Sequence, residues 1–527
     1  MIRLPGSTLA PIARAHCVPA SRSRQRLTLT LRLRSRETRF DLVSLLRQIT
    51  EGRRLPLRRD EFTARFGAAR ADIVRVKRFA RAHGFRVGRV WIAERRLHLS
   101  GPVSALADAF GVKRVVYSDG QTQWPSYTGA VYMPAEIAGC VVGVYGFDRR
   151  PQATRNAAAA AKAARPRISY EPPRVGDLYA FPPEADGRGQ TVGVIALGGG
   201  YVESDLRAFF RRLRIPKPRF TPVSVAGARN APGGRTAAYD GEVTGDIETI
   251  GALAPGAHVV VYFAPNTAQG FLDAVSTAVH DTTHAISVLS ISWGSAEVHW
   301  ARRTLKALNE VLLEAAVLGV TVCCASGDHG AFADTFDRVH HVCFPASSPY
   351  AVACGGTTLV ARRDRVASES VWNNHTGASG GGVSVVFRTP RWQHGSRVPQ
   401  AANGTRGRGV PDVASNADPT TGFRVFCHGA WHVGAGTSAA APVWAALIAR
   451  VNQLRQVPVG LVTPFFYDQY SRLARDGAIR SITRGGNGTY RARRGWDCCT
   501  GLGVPHGTKL AAALTATVPL ARLRSPR

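Results

Sequence analysis

Ser438 stands in a run of small residues, Gly434-Ala435-Gly436-Thr437-Ser438-Ala439-Ala440-Ala441-Pro442, that opens onto the apolar stretch Val443 to Val451. A small-residue turn delivering a serine to a helix start exposes its hydroxyl where the helix dipole favours developing negative charge. That is a nucleophile's position, although Thr437 or Ser438 could equally serve as an N-cap. A weak nucleophile needs a base. Glu242 and Asp246, four apart in Asp240-Gly241-Glu242-Val243-Thr244-Gly245-Asp246-Ile247-Glu248, fall on one face of a helix about one turn apart and could share a proton. Pairs at this spacing are often a solvated acidic face. Here the run Ile247 to Val261 is largely apolar, with only Glu248 charged, which favours burial.

Such a pair suits acid conditions. A carboxylate remains a base where histidine, with a reference pKa of about 6.5, is already protonated. Coupled carboxyls titrate as a pair with one pKa raised, so a shared proton persists at moderately acidic pH.

These groups need a scaffold. Apolar β-type runs at Thr191 to Leu197, His258 to Phe263, Ile286 to Ile291 and Val320 to Cys324 alternate with helical stretches at Glu203 to Leu213, Gly270 to Val279 and Ala301 to Leu318. That order predicts a parallel sheet covered by helices on both faces, in one large α/β domain. Ahead of it, residues 27–110 predict a small, mixed, basic unit: a strand at Leu27 to Arg34, helices at Asp41 to Ile49 and Arg70 to His83, strand-like segments over Arg86 to Leu99, and a helix after Pro102. Between the two, Gln152 to Pro166 is dominated by alanine and basic residues and predicts an exposed linker of the kind proteases cut easily.

At 527 residues the chain predicts two or three domains, and its 45% hydrophobic content is that of a globular protein. No apolar run reaches the roughly 20 residues of a membrane-spanning helix, so no membrane partner is expected. The first forty residues lack the apolar middle of a secretory signal. The formal charge of +32 raises nucleic-acid binding, but 62 of the 68 basic residues are arginine, a skew that follows from arginine-favouring codon usage, and no nucleic-acid partner is expected. The charge is uneven, +21 over residues 1–168 and +11 over the rest, which suggests two functionally different parts. Among nine cysteines, Cys323-Cys324 and Cys498-Cys499 are vicinal pairs without C-x-x-C spacing. The apolar surroundings of Cys323 and Cys324 predict buried free thiols, while a disulfide at Cys498 or Cys499 stays open.

The segments Glu242-Val243-Thr244-Gly245-Asp246-Ile247-Glu248, Gly251-Ala252-Leu253-Ala254-Pro255-Gly256-Ala257, Ser290-Ile291-Ser292-Trp293-Gly294, Ser326-Gly327-Asp328 and Gly436-Thr437-Ser438 together resemble the sedolisins, the serine-carboxyl peptidases, and within them the kumamolisins. Leu99-Ser100-Gly101 and Ala109-Phe110-Gly111-Val112 resemble the family's activation propeptide. The resemblance implies a small α+β propeptide over residues 1–150, a processing linker over 151–168, and a peptidase domain over 169–527 built on a subtilisin-like, doubly wound parallel sheet. It implies Ser438 as nucleophile, Glu242 as general base and acid, Asp246 as the residue that orients and tunes Glu242, and Asp328 as an oxyanion-hole aspartate. A carboxyl donates to an oxyanion only while protonated, a second reason for acid dependence. The activity implied is acid endopeptidase action on protein or peptide substrates through an acyl-enzyme, from a self-activating precursor inhibited by its own propeptide, secreted and monomeric. Tripeptidyl peptidase action stays open, as does an inactive binding protein on the same scaffold. His506-Gly507-Thr508 looks like the histidine motif of subtilisin-like proteases, but it follows Ser438, whereas their order is Asp, His, Ser.

Two departures from the family pattern stand out. The family's hydrogen-bonded chain adds a glutamate just before Leu-Gly-Gly-Gly-Tyr, and that position is Ala196 here, so the relay ends one residue early although its partner tryptophan is present as Trp293. The family's calcium site has an aspartate before Ile-Thr, replaced here by Ser481. The expected ligands are then Ser481, Ile482, Arg493, Gly495 and Asp497, a set weakened by the lost carboxylate and by Arg493 and Arg494 nearby.

Overall fold

The computed structural model describes residues 1–9, 16–20, 25–118, 120, 122–155, 168–234, 236–335, 337–375 and 377–517. The N-terminal unit contains β1 (Arg26–Leu33), α1 (Arg39–Thr50), α2 (Arg59–Phe66), α3 (Arg70–Ala82), β2 (Arg86–Trp91), β3 (Arg96–Pro102) and β4 (Val141–Tyr145). These four strands form an antiparallel sheet in the order β2-β3-β1-β4. α1 begins at a capping box, in which Thr38 and Asp41 satisfy each other's backbone amides. Along β1, Leu29, Leu31 and Leu33 enter the unit's own core, while Thr30 and Arg32 on the opposite face are also buried. A strand buried on both faces needs a second layer, and the large domain supplies it.

In chain order that domain adds β6 (Thr191–Ala196), β7 (Arg219–Ser224), α4 (Asp240–Leu253), β8 (His258–Phe263), α5 (Ala268–His280), β9 (Val288–Ile291), β10 (Trp293–Ala296), α6 (Arg302–Val317), β11 (Thr321–Ala325), β12 (Val352–Arg362), β13 (Arg365–Val371), β14 (Val413–Asn416), β15 (Phe423–Cys427), β16 (Ala430–Gly434) and α7 (Thr437–Arg455). The central sheet runs β7-β8-β6-β9-β11-β12-β13, with β14 beside β12. Every pairing in it is parallel except β12 with β13. The nearly all-apolar strands and the hydrophobic clusters on both faces give the expected doubly wound, subtilisin-like α/β fold. α5 and α6 lie on one face and α4 and α7 on the other.

The face of β1 carrying Thr30 and Arg32 rests on α5 and α6. The Thr30 hydroxyl donates to Asp273 at 2.9 Å, and Arg32 pairs with Glu314 at 2.9 Å. Arg95 also reaches Glu314. α1 and α2 add Leu42, Leu45, Phe62 and Phe66 to the large domain's core.

The expected exposed linker differs at its start. Asn266 Oδ1 accepts the amides of Gln152 and Ala153 at 3.2 and 3.0 Å. Thr154–Arg155 then forms β5, antiparallel to β10 with Thr154 opposite Gly294 and Arg155 opposite Trp293. Free backbone groups on a strand edge reward such pairing, which the alanine-rich composition did not reveal. Residues 156–167 of the linker lie outside the described residues. All nine cysteines are free, including Cys498 and Cys499, and only Cys17 is exposed. Among the described residues no helix is long and apolar enough to cross a membrane.

Candidate active site

Four segments converge at the C-terminal ends of β9 and β11, where open α/β sheets form their clefts. α4 brings Glu242 and Asp246, β9 leads into Ser292, β11 leads into Ser326-Gly327-Asp328, and the β15–β16 hairpin leads into α7 and Ser438. Gly436, the N-cap of α7, has φ 96°, which glycine adopts without strain and which turns the chain from hairpin to helix.

The Ser438 hydroxyl points to Glu242 Oε2 at 3.3 Å and to the Ala435 carbonyl at 3.4 Å. The first distance is longer than a tight O–H···O bond, and such catalytic bonds shorten when substrate is in place. Asp246 sits one turn on and is 3% exposed. Burial pushes its carboxyl well above the usual range, and the neighbouring Glu242 charge pushes it further. The structure thus brings Ser438, Glu242 and Asp246 together as expected from their spacing and motif.

Asp328 is held at the start of α7 by Thr437, the residue before Ser438. Its Oδ1 accepts both the amide and the hydroxyl of Thr437 at 2.8 Å, and the Gly327 amide donates to that hydroxyl at 3.0 Å. Thr437 therefore fixes the aspartate against the start of α7, where its other oxygen, once protonated, can donate to an oxyanion.

Ser292 was not singled out by its type or spacing. Its hydroxyl lies 2.9 Å from Asp246 Oδ1 and 3.2 Å from the Ser438 carbonyl. The signal for it was Pro442, which has no N–H to give to the carbonyl four residues back and so leaves it to another donor. A protonated Asp246 can donate a hydrogen bond to the Ser292 oxygen, leaving the serine's own hydrogen for that carbonyl. Glu248 was likewise missed as more than a charge. Burial pushes it up to about 9, and its Oε2 accepts the Phe426 amide at 3.0 Å, tying the hairpin to α4.

The remaining expected groups separate. His506 is the N-cap residue of the helix Gly507–Thr515 and, among the described residues, has no bond to Ser438. Trp293 packs edge-on to Tyr239 at 5.0 Å, and its buried Nε1 has no hydrogen-bond partner among the described residues. Ala196 ends β6 and carries no group that could bond it. Ser481, Ile482, Arg493, Gly495 and Asp497 come together near the C-terminus. The Ser481 hydroxyl bonds Tyr470 at 2.6 Å and accepts the Gly495 amide at 3.3 Å. Asp497 accepts the amides of Cys499 and Thr500 at 2.8 Å and of Arg493 at 3.1 Å, and burial raises its carboxyl. Calcium takes six to eight oxygens with charge among them. One carboxylate whose two oxygens already accept amides, beside a serine, does not fit a resident calcium.

Fold and site together define a serine-carboxyl peptidase on a subtilisin-like scaffold. Residues 15–150 match the Pro-kumamolisin activation domain, and residues 225–464 match the Subtilase family. The chain is 45% identical to kumamolisin of Bacillus sp. (strain MN-32) over 481 residues, which cover 88% of this chain and 86% of that one. It is 29% identical to sedolisin of Pseudomonas sp. (strain 101), over 86% of this chain and 81% of the relative. The structure of Pseudomonas sedolisin, a serine-carboxyl proteinase complexed with two molecules of pseudo-iodotyrostatin, matches with a TM-score of 0.60 and 27% identity, covering 67% of this chain and 99% of that one. The chain belongs to the sedolisin family of serine-carboxyl peptidases and carries a pro-kumamolisin activation domain at its N-terminus.

Proposed function

We propose that this chain is the precursor of an acid-acting serine endopeptidase that cuts itself within residues 151–168 and then hydrolyses protein or peptide substrates. The observation that carries the reading is the Ser438 hydroxyl set 3.3 Å from Glu242, with Asp246 buried behind it. Glu242 takes the Ser438 proton as the hydroxyl attacks the peptide carbonyl, and the protonated Asp328 donates to the resulting oxyanion. Glu242 then returns the proton to the leaving amine, leaving an acyl-enzyme that water, activated by the same carboxylate, hydrolyses. Asp246, held neutral, orients Glu242 and carries the proton of the pair.

Endopeptidase action is supported by β5, which adds to β10 as a strand continuous with the upstream unit. A groove that takes an unbroken chain there does not require a free N-terminus three residues from the cut. The N-terminal unit is read as an intramolecular inhibitor, and the mature enzyme as a secreted monomer working without resident calcium. The test is to hold purified precursor at pH 3 to 5 and sequence the new N-termini. Cuts between residues 151 and 168 in the wild type and none in Ser438→Ala are expected. Processing that proceeds equally in Ser438→Ala would sink self-activation.

A further inference from the structure

A cavity of about 250 Å³, room for about eight waters, opens beside Ser438 between α4 and the β15–β16 hairpin. One wall is Gly241, Glu242 and Gly245, and the other is Phe423, Val425 and Val433. No residue of β10 and neither Gly327 nor Asp328 lines it. In the reaction proposed above, on which this step rests, Asp328 marks where the carbonyl oxygen points, and β10 marks the acyl side, since β5, which leads into the proposed cut segment, pairs antiparallel with it. Glu242 marks the leaving amine, because it must hand that nitrogen a proton. The cavity shares Glu242 but neither of the other two markers.

We infer that this cavity is the subsite for the residue immediately after the scissile bond, and that it selects a large uncharged side chain. Phe423, Val425 and Val433 give it apolar walls, with the absence of a side chain at Gly241 and Gly245 leaving the space open. Two imidazoles stand at its rim. His428, whose Nε2 is 2.9 Å from Asp240, and His432, bonded to the Cys427 carbonyl at 3.1 Å, both line the opening. Val433 is half-buried on β16 and is the wall residue most open to change without disturbing the core.

The experiment uses the activated wild-type enzyme with peptides alike except at the residue following the cut, which is Gly, Leu, Phe or Lys. We expect kcat/KM for Leu and Phe to exceed that for Lys at least tenfold. Val433→Phe, which fills the cavity, should lower the Phe-to-Gly ratio about tenfold, and Val433→Ala should raise it. A ratio that stays fixed in both variants, or that moves instead with the residue before the cut, would overturn the assignment. Absence of cleavage of any peptide by the wild type would instead count against the peptidase reading itself, so the two failures are distinguishable.

Discussion

Pro442 leaves the main-chain carbonyl of Ser438 without its helical donor, and the Ser292 hydroxyl fills that role at 3.2 Å while touching Asp246 at 2.9 Å. The backbone of Ser438, the proposed nucleophile, and the buried carboxyl of Asp246 are thereby joined through one hydroxyl. Ser292→Ala should leave a buried carbonyl unpaired, costing about 1–3 kcal/mol of stability, and should lower kcat more than it raises KM. Ser292→Thr, which keeps the hydroxyl, should rescue both. Adding Pro442→Ala to Ser292→Ala should restore stability by returning a helix N–H to the carbonyl, yet leave the pH profile altered. If the double variant also regains the wild-type pH profile, the link to Asp246 carries no function.

The base can be tested apart from the fold. Ser438→Ala and Glu242→Gln should each reduce kcat/KM by roughly 10³-fold or more with little change in thermal unfolding. Asp246→Asn should behave differently. Its burial favours the protonated carboxyl, and an amide stays neutral at every pH, so the loss of activity on the alkaline side should flatten. Glu242→Gln with near-full activity at acid pH would mean that another group is the base.

Much of this site was legible in the sequence because its parts are local. The four-residue spacing of Glu242 and Asp246 survives in any helix, and the small-residue approach to Ser438 is the Gly436 turn itself. The strands at His258–Phe263 and Thr191–Ala196 were equally plain, since buried parallel strands read as unbroken apolar runs. What escaped was non-local. Ser292 meets Ser438 across 146 positions of chain, and the docking of Gln152 to Arg155 depends on an open edge of β10 that local composition cannot report. Asp497 shows the converse: its position in the motif was recognised, but not that backbone amides already occupy its carboxylate.

Glu248 sets a slope of stability against pH. Its folded pKa is raised to about 9 against an ordinary value near 4.3, so the folded protein holds a proton that the unfolded chain has lost. The contribution is therefore fully present below about pH 4 and is lost as pH rises toward 9, by roughly tenfold in the folding constant per pH unit. Glu248→Gln should flatten the decline of the unfolding temperature between pH 5 and 8. A decline of unchanged slope would assign it to other groups.

The Ser481–Asp497 loop should hold its shape without metal. Thermal unfolding of the mature enzyme in excess calcium and in chelator should differ by no more than about 2 °C. Ser481→Asp, which adds the charge that calcium favours, should create a difference where the wild type has none. A large calcium effect on the wild type would show that the amides bonded to Asp497 give way to the ion.

The last prediction concerns release of the N-terminal unit. Glu314, with no exposed side-chain surface, meets Arg32 at 2.9 Å, Arg95, and His280 at 2.8 Å. Burial alone would raise its pKa, but the Arg95 and Arg32 guanidiniums and His280 hold it far below the usual carboxylate range. In the free mature enzyme both arginines are gone and the carboxyl returns toward its ordinary value. Acid then protonates the free form while the docked form resists, so lowering the pH favours release. The effect is absent above about pH 5 and grows as pH falls, by up to tenfold in affinity per pH unit for such a carboxylate. Inhibition of mature enzyme by separately produced N-terminal unit should therefore weaken steadily from pH 5 to 3. Because the network is buried, salt should matter less than pH. Glu314→Gln should weaken inhibition at pH 6, where it strands two arginines, and flatten the dependence below pH 5. Wild-type affinity that stays level from pH 5 to 3 would mean that the apolar packing of Leu42, Leu45 and Phe62 holds the unit, and that cleavage alone frees the enzyme.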